Sequence, residues 1–363
     1  MSLSPLLINP DKWERISPLP AMGLLRQGEL NLDKLQAIKK SEQIPVHIVF
    51  PAGSAREAQN LAHLLPILEP LYPSLIDRCW IAFGGRRPGN LDRLAQSYPW
   101  VELFQARLAL PPDQQDAPDG KGATMRAFLY QLVLTGKVSH PRAIIEFIDA
   151  DIRPSYFNPR WVIDPVGALI WFQALEAAKV VYHRPHGGRL NAILRSFLAL
   201  CPDPAIQSLQ KLVYLLSGEM AGTLKFWTAL PFKTGYGVEI LLLLSLALNQ
   251  LRLSPEKSDL EKLIQVYVGQ MDHRHAPLLS SDKRRGLDQM AGNVFHTCME
   301  YLEQVGMLQW KSPSLPNPRL SIPLPPQGPN DSIVWLDAAL EDETLPPLRT
   351  LPEIKAIWEE IGK

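Results

Sequence analysis

Cysteine is scarce in this chain, and the three that occur, Cys79, Cys201 and Cys298, stand far apart with no Cys-x-x-Cys pair. That spacing excludes a disulfide framework and a cysteine-based structural zinc site, and it points to a reducing compartment. Neither sign of charge is in excess: Lys plus Arg and Asp plus Glu both number 37. No general attraction to nucleic acid or to an anionic membrane surface follows, so any anion binding must come from local clusters. Long apolar runs are missing too. The most apolar one, Ile240 to Leu248, contains Ser245 and stops at Asn249, far short of the about 20 residues that a spanning helix needs. Met1-Ser2-Leu3-Ser4-Pro5 has no basic stretch leading into an apolar core, so no signal peptide is expected. These absences predict a soluble cytoplasmic protein, and no internal repeat breaks that picture.

What the chain does have is enough apolar residue to fill a core, 46% of 363 positions. That length suits roughly two domains of about 150 residues each, or one large α/β domain with additions. Residues 1–43 are broken by Pro5, Pro10, Pro18 and Pro20 and read as an arm, with a short helix expected from Leu32 to Lys40 capped by Asn31. Ile44 to Phe50 is a strand, and Pro51-Ala52-Gly53-Ser54 turns it into a helix from Arg56 to Leu65. Cys79 to Phe83, a helix from about Asn90, and Val101 to Phe104 follow. A proline-bearing loop over 108–119 delivers Gly120-Lys121-Gly122 to a helix ending near Leu134, which feeds a strand from Ala143 to Ile148. Strands alternating with helices in this way predict a parallel, doubly wound sheet.

Beyond Asp151 the spacing predicts a helix over 164–178, a strand over 179–182, helices over 191–200, 206–216 and 239–248, a strand over 264–268, and a helix over 283–305. The remainder is rich in proline and reads as a tail. The expected organisation is therefore an arm (1–43), a nucleotide-binding α/β half (44–155), a more helical second part (156–310) and a proline-rich tail (311–363).

Chemistry concentrates at the end of the central strand, in Glu146-Phe147-Ile148-Asp149-Ala150-Asp151. Open α/β sheets bind ligands outside the carboxyl ends of their strands. An Asp-x-Asp there suits Mg²⁺ or Mn²⁺, which takes one or two carboxylates and completes its shell with water and phosphate oxygens. Lys121 lies between two glycines at a helix start, a setting that favours phosphate, although it is not a Walker motif. His183-Arg184-Pro185-His186-Gly187-Gly188-Arg189 holds two arginines in seven residues, and their forks suit a small molecule carrying carboxylate and phosphate. Glu219 and Glu239 stand beside glycines; each reads either as an acid facing a sugar hydroxyl or, respectively, as a solvated loop residue and a first-turn helix acid. His273 follows a strand closely enough to complete a metal shell with Asp151.

In order and wording these pieces resemble the glucosyl-3-phosphoglycerate synthases, retaining glycosyltransferases of the GT-A fold. The matching stretches are Gly120-Lys121-Gly122, Phe147-Ile148-Asp149-Ala150-Asp151, Tyr182-His183-Arg184-Pro185, Gly187-Gly188-Arg189, Gly218-Glu219, Leu230-Pro231-Phe232, Gly235-Tyr236-Gly237-Val238-Glu239-Ile240, and His273-Arg274 followed by Pro277-Leu278. The resemblance implies a GT-A-like, Rossmann-type, mainly parallel sheet with flanking helices and a helical acceptor region. It implies donor contacts from Pro51, Ala52, Gly53, Glu57, Lys121, Asp149, Tyr236 and Glu239, with Asp151 and His273 on Mg²⁺ or Mn²⁺. It implies acceptor contacts from Arg184, Gly188, Arg189 and Asn191, and it sets the Leu216 carbonyl, Glu239 and Lys121 at the reacting centre. The chain departs from the family at Pro51-Ala52-Gly53-Ser54-Ala55-Arg56-Glu57 and Phe83-Gly84-Gly85-Arg86-Arg87, which stand where a different base-recognising sequence is usual.

The expected activity is metal-dependent transfer of a hexose, glucose foremost, from a nucleoside diphosphate sugar to 3-phosphoglycerate with retention. The expected partners are those two small molecules, with no nucleic acid, no membrane span, and a homodimer as the candidate assembly. A transferase acting on glycerate or another small anion stays open, as does a non-catalytic relative that binds nucleotide sugars.

Overall fold

The structure is a computed structural model describing residues 7–8, 22–84, 91–106, 120–138, 140–184, 189–272, 286–309, 319–324, 334–339 and 344–361. Its first part contains β1 (Leu7–Ile8), β2 (Leu24–Leu25), α1 (Leu32–Glu42), β3 (Val46–Pro51), α2 (Ala55–Leu68), β4 (Arg78–Phe83), α3 (Leu91–Ser97) and β5 (Val101–Gln105). Then come α4 (Lys121–Leu134), β6 (Ile144–Phe147), α5 (Arg160–Trp171), β7 (Ala177–His183), α6 (Arg189–Leu200), α7 (Pro204–Ser208), β8 (Met220–Thr223), α8 (Leu224–Ala229) and β9 (Phe232–Lys233). The last part holds α9 (Val238–Ala247), β10 (Leu263–Gln270), α10 (Leu287–Gln304), β11 (Arg319–Leu324), β12 (Val334–Ala339), β13 (Thr344–Leu345) and α11 (Pro352–Ile361).

Among the described residues, nine strands form one sheet in the order β1-β2-β10-β7-β8-β6-β3-β4-β5. All its pairings are parallel except those of β8, which runs antiparallel to β6 and β7. The expected parallel α/β sheet is present, with one reversed strand inserted near its middle. Residues alternate along each central strand between two apolar layers. Ile48, Phe50, Ile144 and Ile148 enter the layer shared with Leu61, Leu65 and Leu169 of α2 and α5. Val49, Ile145 and Phe147 enter the layer shared with Phe128, Trp227 and Leu243 of α4, α8 and α9. A strand buried on both faces loses its polar alternation, which is why Ala143 to Ile148 reads as a continuous apolar run.

Several boundaries move from their sequence-based positions for local reasons. The helix expected over 164–178 begins at Arg160, whose N–H is accepted by Asn158 Oδ1 at 2.9 Å, and ends at Trp171, leaving Ala177 onward to β7. The helix expected over 206–216 is only α7 and a single 3₁₀ turn at Leu209–Lys211, after which the backbone is irregular. β8 was not foreseen, because Met-Ala-Gly-Thr carries no β-branched run. Its Gly222 has a packing reason: a Cβ there would sit 2.5 Å from Phe226 Cδ1 and 2.8 Å from Trp227 Nε1.

The flanking segments join the same body. β2 pairs with β10, and β13 pairs with β9. Arg126 of α4 donates to the Pro346 carbonyl at 3.3 Å, and Tyr130 meets Glu353 of α11 at 3.1 Å.

One buried base in β3 makes the fold sensitive to acid. His47 is 5% exposed, and its Nδ1 accepts from Trp80 Nε1 at 3.2 Å, which requires that nitrogen to be unprotonated. Burial pushes its pKa down to about 4; Asp77 and Glu102 oppose that shift, and Arg78 and Lys39 add to it. Between the ordinary value of 6.5 and about 4 the unfolded chain binds a proton that the folded chain refuses. This contribution to stability is therefore complete above pH 6.5 and is lost as pH falls toward about 4. Thermal melts over that window should show the midpoint falling with pH. His47→Asn, which keeps an acceptor near the same place without a titrating ring, should flatten the slope, and an unchanged slope would overturn the assignment.

Candidate active site

β3, β6 and β7 point their carboxyl ends to one edge of the sheet, and the Asp-x-Asp leaves β6 there. Ile148 N–H still bonds the Val49 carbonyl at 3.0 Å, after which the chain turns away from the sheet. The turn is held from α2: the buried Asn60 carboxamide donates to the carbonyls of Ala150 (2.8 Å) and Ile152 (2.7 Å). Asn60 carried no motif signal, yet it fixes the backbone between and beyond the two aspartates.

Lys121 opens α4, as its position after Gly120 predicts. The two flanking glycines have a packing reason of their own. A Cβ at Gly120 would strike the Thr234 carbonyl and one at Gly122 the Lys233 carbonyl, so both let the chain's own backbone approach. Ala123 N–H donates to that Thr234 carbonyl at 2.9 Å. The Lys121 ammonium lies between Asp149 Oδ1 at 2.5 Å and Glu239 Oε1 at 3.2 Å. Burial works against its charge, but Asp149, Glu239 and Glu219 outweigh that effect and raise its pKa above the ordinary lysine value. Room for the cluster exists because residue 218 has no side chain. A Cβ there would strike Lys121 Nζ and lie 2.6 Å from Asp149 Oδ2 and 2.9 Å from Glu239 Oε1.

The remaining donor-side candidates gather around this cluster. The Tyr236 phenol lies within electrostatic reach of Lys121, Asp149, Asp151 and Glu57. Pro51 closes β3, Ala52 N–H bonds the Ala82 carbonyl at 2.7 Å, and Gly53 N–H donates to Glu57 Oε2 at 2.7 Å. Ser54 caps α2 and also donates to Glu57 Oε2 at 2.9 Å, so Ser54-x-x-Glu57 is a capping box that binds the Glu57 carboxylate into its own turn. Burial raises the Glu57 pKa, the Ser54 and Gly53 hydrogen bonds oppose the rise, and the Asp151 charge adds to it.

On the acceptor side, Arg184 Nη1 meets Tyr214 Oη at 3.3 Å, and among the described residues its buried Nε has no hydrogen-bond partner. Arg189 is exposed at the first turn of α6. Asn191 is committed in part, its Oδ1 accepting from Leu215 N–H at 2.7 Å, next to the half-buried Leu216. Gly188 and His273 lie outside the described residues. Asp272, which precedes His273, is tied to the Asp-x-Asp turn twice: its carbonyl accepts from Arg153 N–H at 3.2 Å and its carboxylate meets Arg153 Nη1 at 3.3 Å.

The donors present fit a hard divalent cation. Among the described residues no three His, Cys, Asp or Glu side chains converge as a closed metal cage. An open site with one carboxylate, Asp151, is what Mg²⁺ or Mn²⁺ uses when substrate phosphates supply other ligands.

Two acids differ from expectation. Glu219 is fully buried, which overturns its reading as a solvated loop residue. Glu146, inside β6, is buried with both oxygens lacking a protein partner among the described residues. Burial, reinforced by Glu219, raises its pKa well above the ordinary glutamate value. Gly218→Ala should displace the Lys121 ammonium. Calorimetry with a nucleoside diphosphate and Mg²⁺ should then show affinity weakened by about tenfold to a hundredfold, the size of one lost charge-assisted contact; unchanged affinity would mean the cluster does not need that space.

No protein-family model matches the chain. The glucosyl-3-phosphoglycerate synthase of Petrotoga mobilis is 26% identical over 339 residues, covering 90% of this chain and 92% of that protein. The enzyme of the same name from Mycolicibacterium smegmatis is 27% identical over 243 residues, covering 64% of this chain and 71% of that one. Among solved structures, that of glucosyl-3-phosphoglycerate synthase from Mycobacterium tuberculosis in complex with Mn²⁺ and UDP-glucose superimposes with a TM-score of 0.68 at 24% identity, covering 92% of this chain and 99% of that one. The chain is thus similar in sequence to glucosyl-3-phosphoglycerate synthases over most of its length, and it shares the fold of the solved Mycobacterium tuberculosis protein.

Proposed function

We propose that this protein is a retaining glucosyltransferase that moves glucose from UDP-glucose to 3-phosphoglycerate with a divalent cation. The observation that carries the reading is the meeting of Lys121, Asp149 and Glu239, three side chains from distant parts of the sequence, against Gly218 at the carboxyl edge of the sheet. The curated relatives bear the name of this activity, and the Mycobacterium tuberculosis protein has been solved with Mn²⁺, UDP-glucose and phosphoglyceric acid.

In this reading residues 44–155 supply most of the donor seat and 156–310 the acceptor seat. Asp149 and the Pro51–Gly53 turn border the nucleoside, with Glu57 holding that turn. Asp151, with His273, would hold Mg²⁺ or Mn²⁺, which when bound neutralises charge on the departing diphosphate. Lys121 adds a fixed positive charge to the same phosphates by exchanging one carboxylate partner for a phosphate oxygen. Glu239 and Tyr236 orient the hexose, and the Leu216 carbonyl lies beside the anomeric carbon as positive charge develops there. Arg184 and Arg189, with Gly188 and Asn191, seat the acceptor's phosphate and carboxylate. Retention follows if the acceptor hydroxyl enters on the face from which the diphosphate leaves, its proton passing to a phosphate oxygen of the leaving group. No protein carboxylate need act as nucleophile.

The scattered cysteines favour a cytoplasmic setting, and the 56% exposed Ile193 and 83% exposed Leu200 give α6 an apolar face that a second copy would cover in a homodimer.

Purified protein with Mn²⁺, UDP-glucose and 3-phosphoglycerate should release UDP, and Asp151→Ala should abolish release. No release with any sugar nucleotide would defeat the reading. Arg184→Ala and Arg189→Ala should each raise the KM for 3-phosphoglycerate by roughly thirtyfold or more, as loss of one arm of a charge pair costs about 2 kcal/mol or more, with little effect on the donor KM. If glycerate is instead the acceptor, glycerate will be glucosylated in preference to 3-phosphoglycerate, and Arg189→Ala will leave that activity unchanged.

A further inference from the structure

Between α7 and β8 the backbone follows no regular pattern once the Leu209–Lys211 turn ends, yet side chains from three elements bond to it. From α6, Arg195 donates to the carbonyls of Gln210 (2.5 Å) and Leu212 (2.6 Å), and Asn191 accepts from Leu215 N–H at 2.7 Å. From β10, Gln265 Oε1 accepts from Val213 N–H at 2.6 Å while its Nε2 donates to Met22 at 2.8 Å and Lys211 at 3.3 Å. From β7, Lys179 Nζ donates to the Ser217 carbonyl at 3.0 Å.

The lysine is the costly member of this set. It is 1% exposed in the middle of the sheet, facing Gln265 on β10 and Met220 on β8 in register. Burial pulls its pKa down to about 8, Glu239 and Glu219 oppose the fall, and Lys121 adds to it. A leucine or methionine would fill the same space without desolvating an ammonium. What neither would supply is a donor to Ser217, the residue before Gly218, against which Lys121, Asp149 and Glu239 pack.

We propose that Lys179 is a positioning residue: from inside the sheet it fixes the Ser217 carbonyl, and with it the Leu216–Gly218 backbone that floors the Lys121–Asp149–Glu239 cluster. This deepens the glucosyl-transfer reading and rests on it for its catalytic part, while its structural part can be measured without turnover. Lys179 makes no contact with substrate in this account and acts only through the backbone it holds.

The test compares wild type with Lys179→Met, which keeps the length and removes both charge and donor. Hydrogen exchange by mass spectrometry, without substrates, should show the amides of residues 214–220 exchanging at least tenfold faster in the variant, while those of β6 stay unchanged. Steady-state kinetics with UDP-glucose and 3-phosphoglycerate, with enzyme concentration corrected for the folded fraction, should show kcat falling at least tenfold with the donor KM altered by no more than about threefold; the correction removes the drop in apparent kcat at unchanged KM that loss of folded protein gives by itself. Unchanged exchange over 214–220 in a folded variant, or an unchanged kcat, would overturn the proposal. If Lys179→Met does not fold, Lys179→Leu, which is smaller and likewise has no donor, is read by the same exchange measurement with the same two outcomes. If the wild-type protein itself transfers no glucose, the functional reading fails, and the exchange comparison still decides whether Lys179 pins the backbone.

Discussion

A largely enclosed ammonium with more than one acid around it is the constraint on which the site depends. Lys121 is shared by Asp149 and Glu239, with Glu219 close enough to strengthen its charge. Charges removed from water persist only when paired and hydrogen-bonded, so the acids, the lysine and the glycine between them must all be in place together. Asp151 and Glu57 extend the negative surface toward Tyr236. The described part of the site thus holds more carboxylate than ammonium, an excess that favours a divalent cation.

Neutralisation inside the sheet complements this arrangement. Burial and the nearby Glu219 both disfavour the charged form of Glu146, and Lys179 supplies positive charge from the opposite neighbouring strand. Both are possible because β8 runs antiparallel between β6 and β7. That reversed strand brings Glu219 between two parallel strands and sends the preceding irregular backbone along the sheet's carboxyl edge.

Irregular backbone beside a reacting centre needs support that regular hydrogen bonding does not give. Here Asn60 holds the Asp-x-Asp turn, and Asn191, Arg195, Gln265 and Lys179 hold the approach to β8. Each side chain sits on a helix or strand and spends its polar group on a carbonyl or N–H that would otherwise be unsatisfied. Asn191 is instructive because its Oδ1 serves Leu215, so any part it takes in acceptor binding falls to the rest of the amide.

The sequence by itself determined the alternation of strands and helices up to Asp151, the apolar central strand, and the identity of the acids and bases near its end, because hydrophobic periodicity, glycine and proline positions and motif order are local properties. It also carried Lys121, Asp149 and Glu239 as candidates. Tertiary structure alone decided that Gly120 and Gly122 admit the 233–234 backbone, that Glu219 is buried, that Met220–Thr223 forms a reversed strand, and that Lys179 reaches Ser217. Those outcomes depend on which distant segments come within hydrogen-bonding distance, and such partners leave no periodic mark in the chain that contains them.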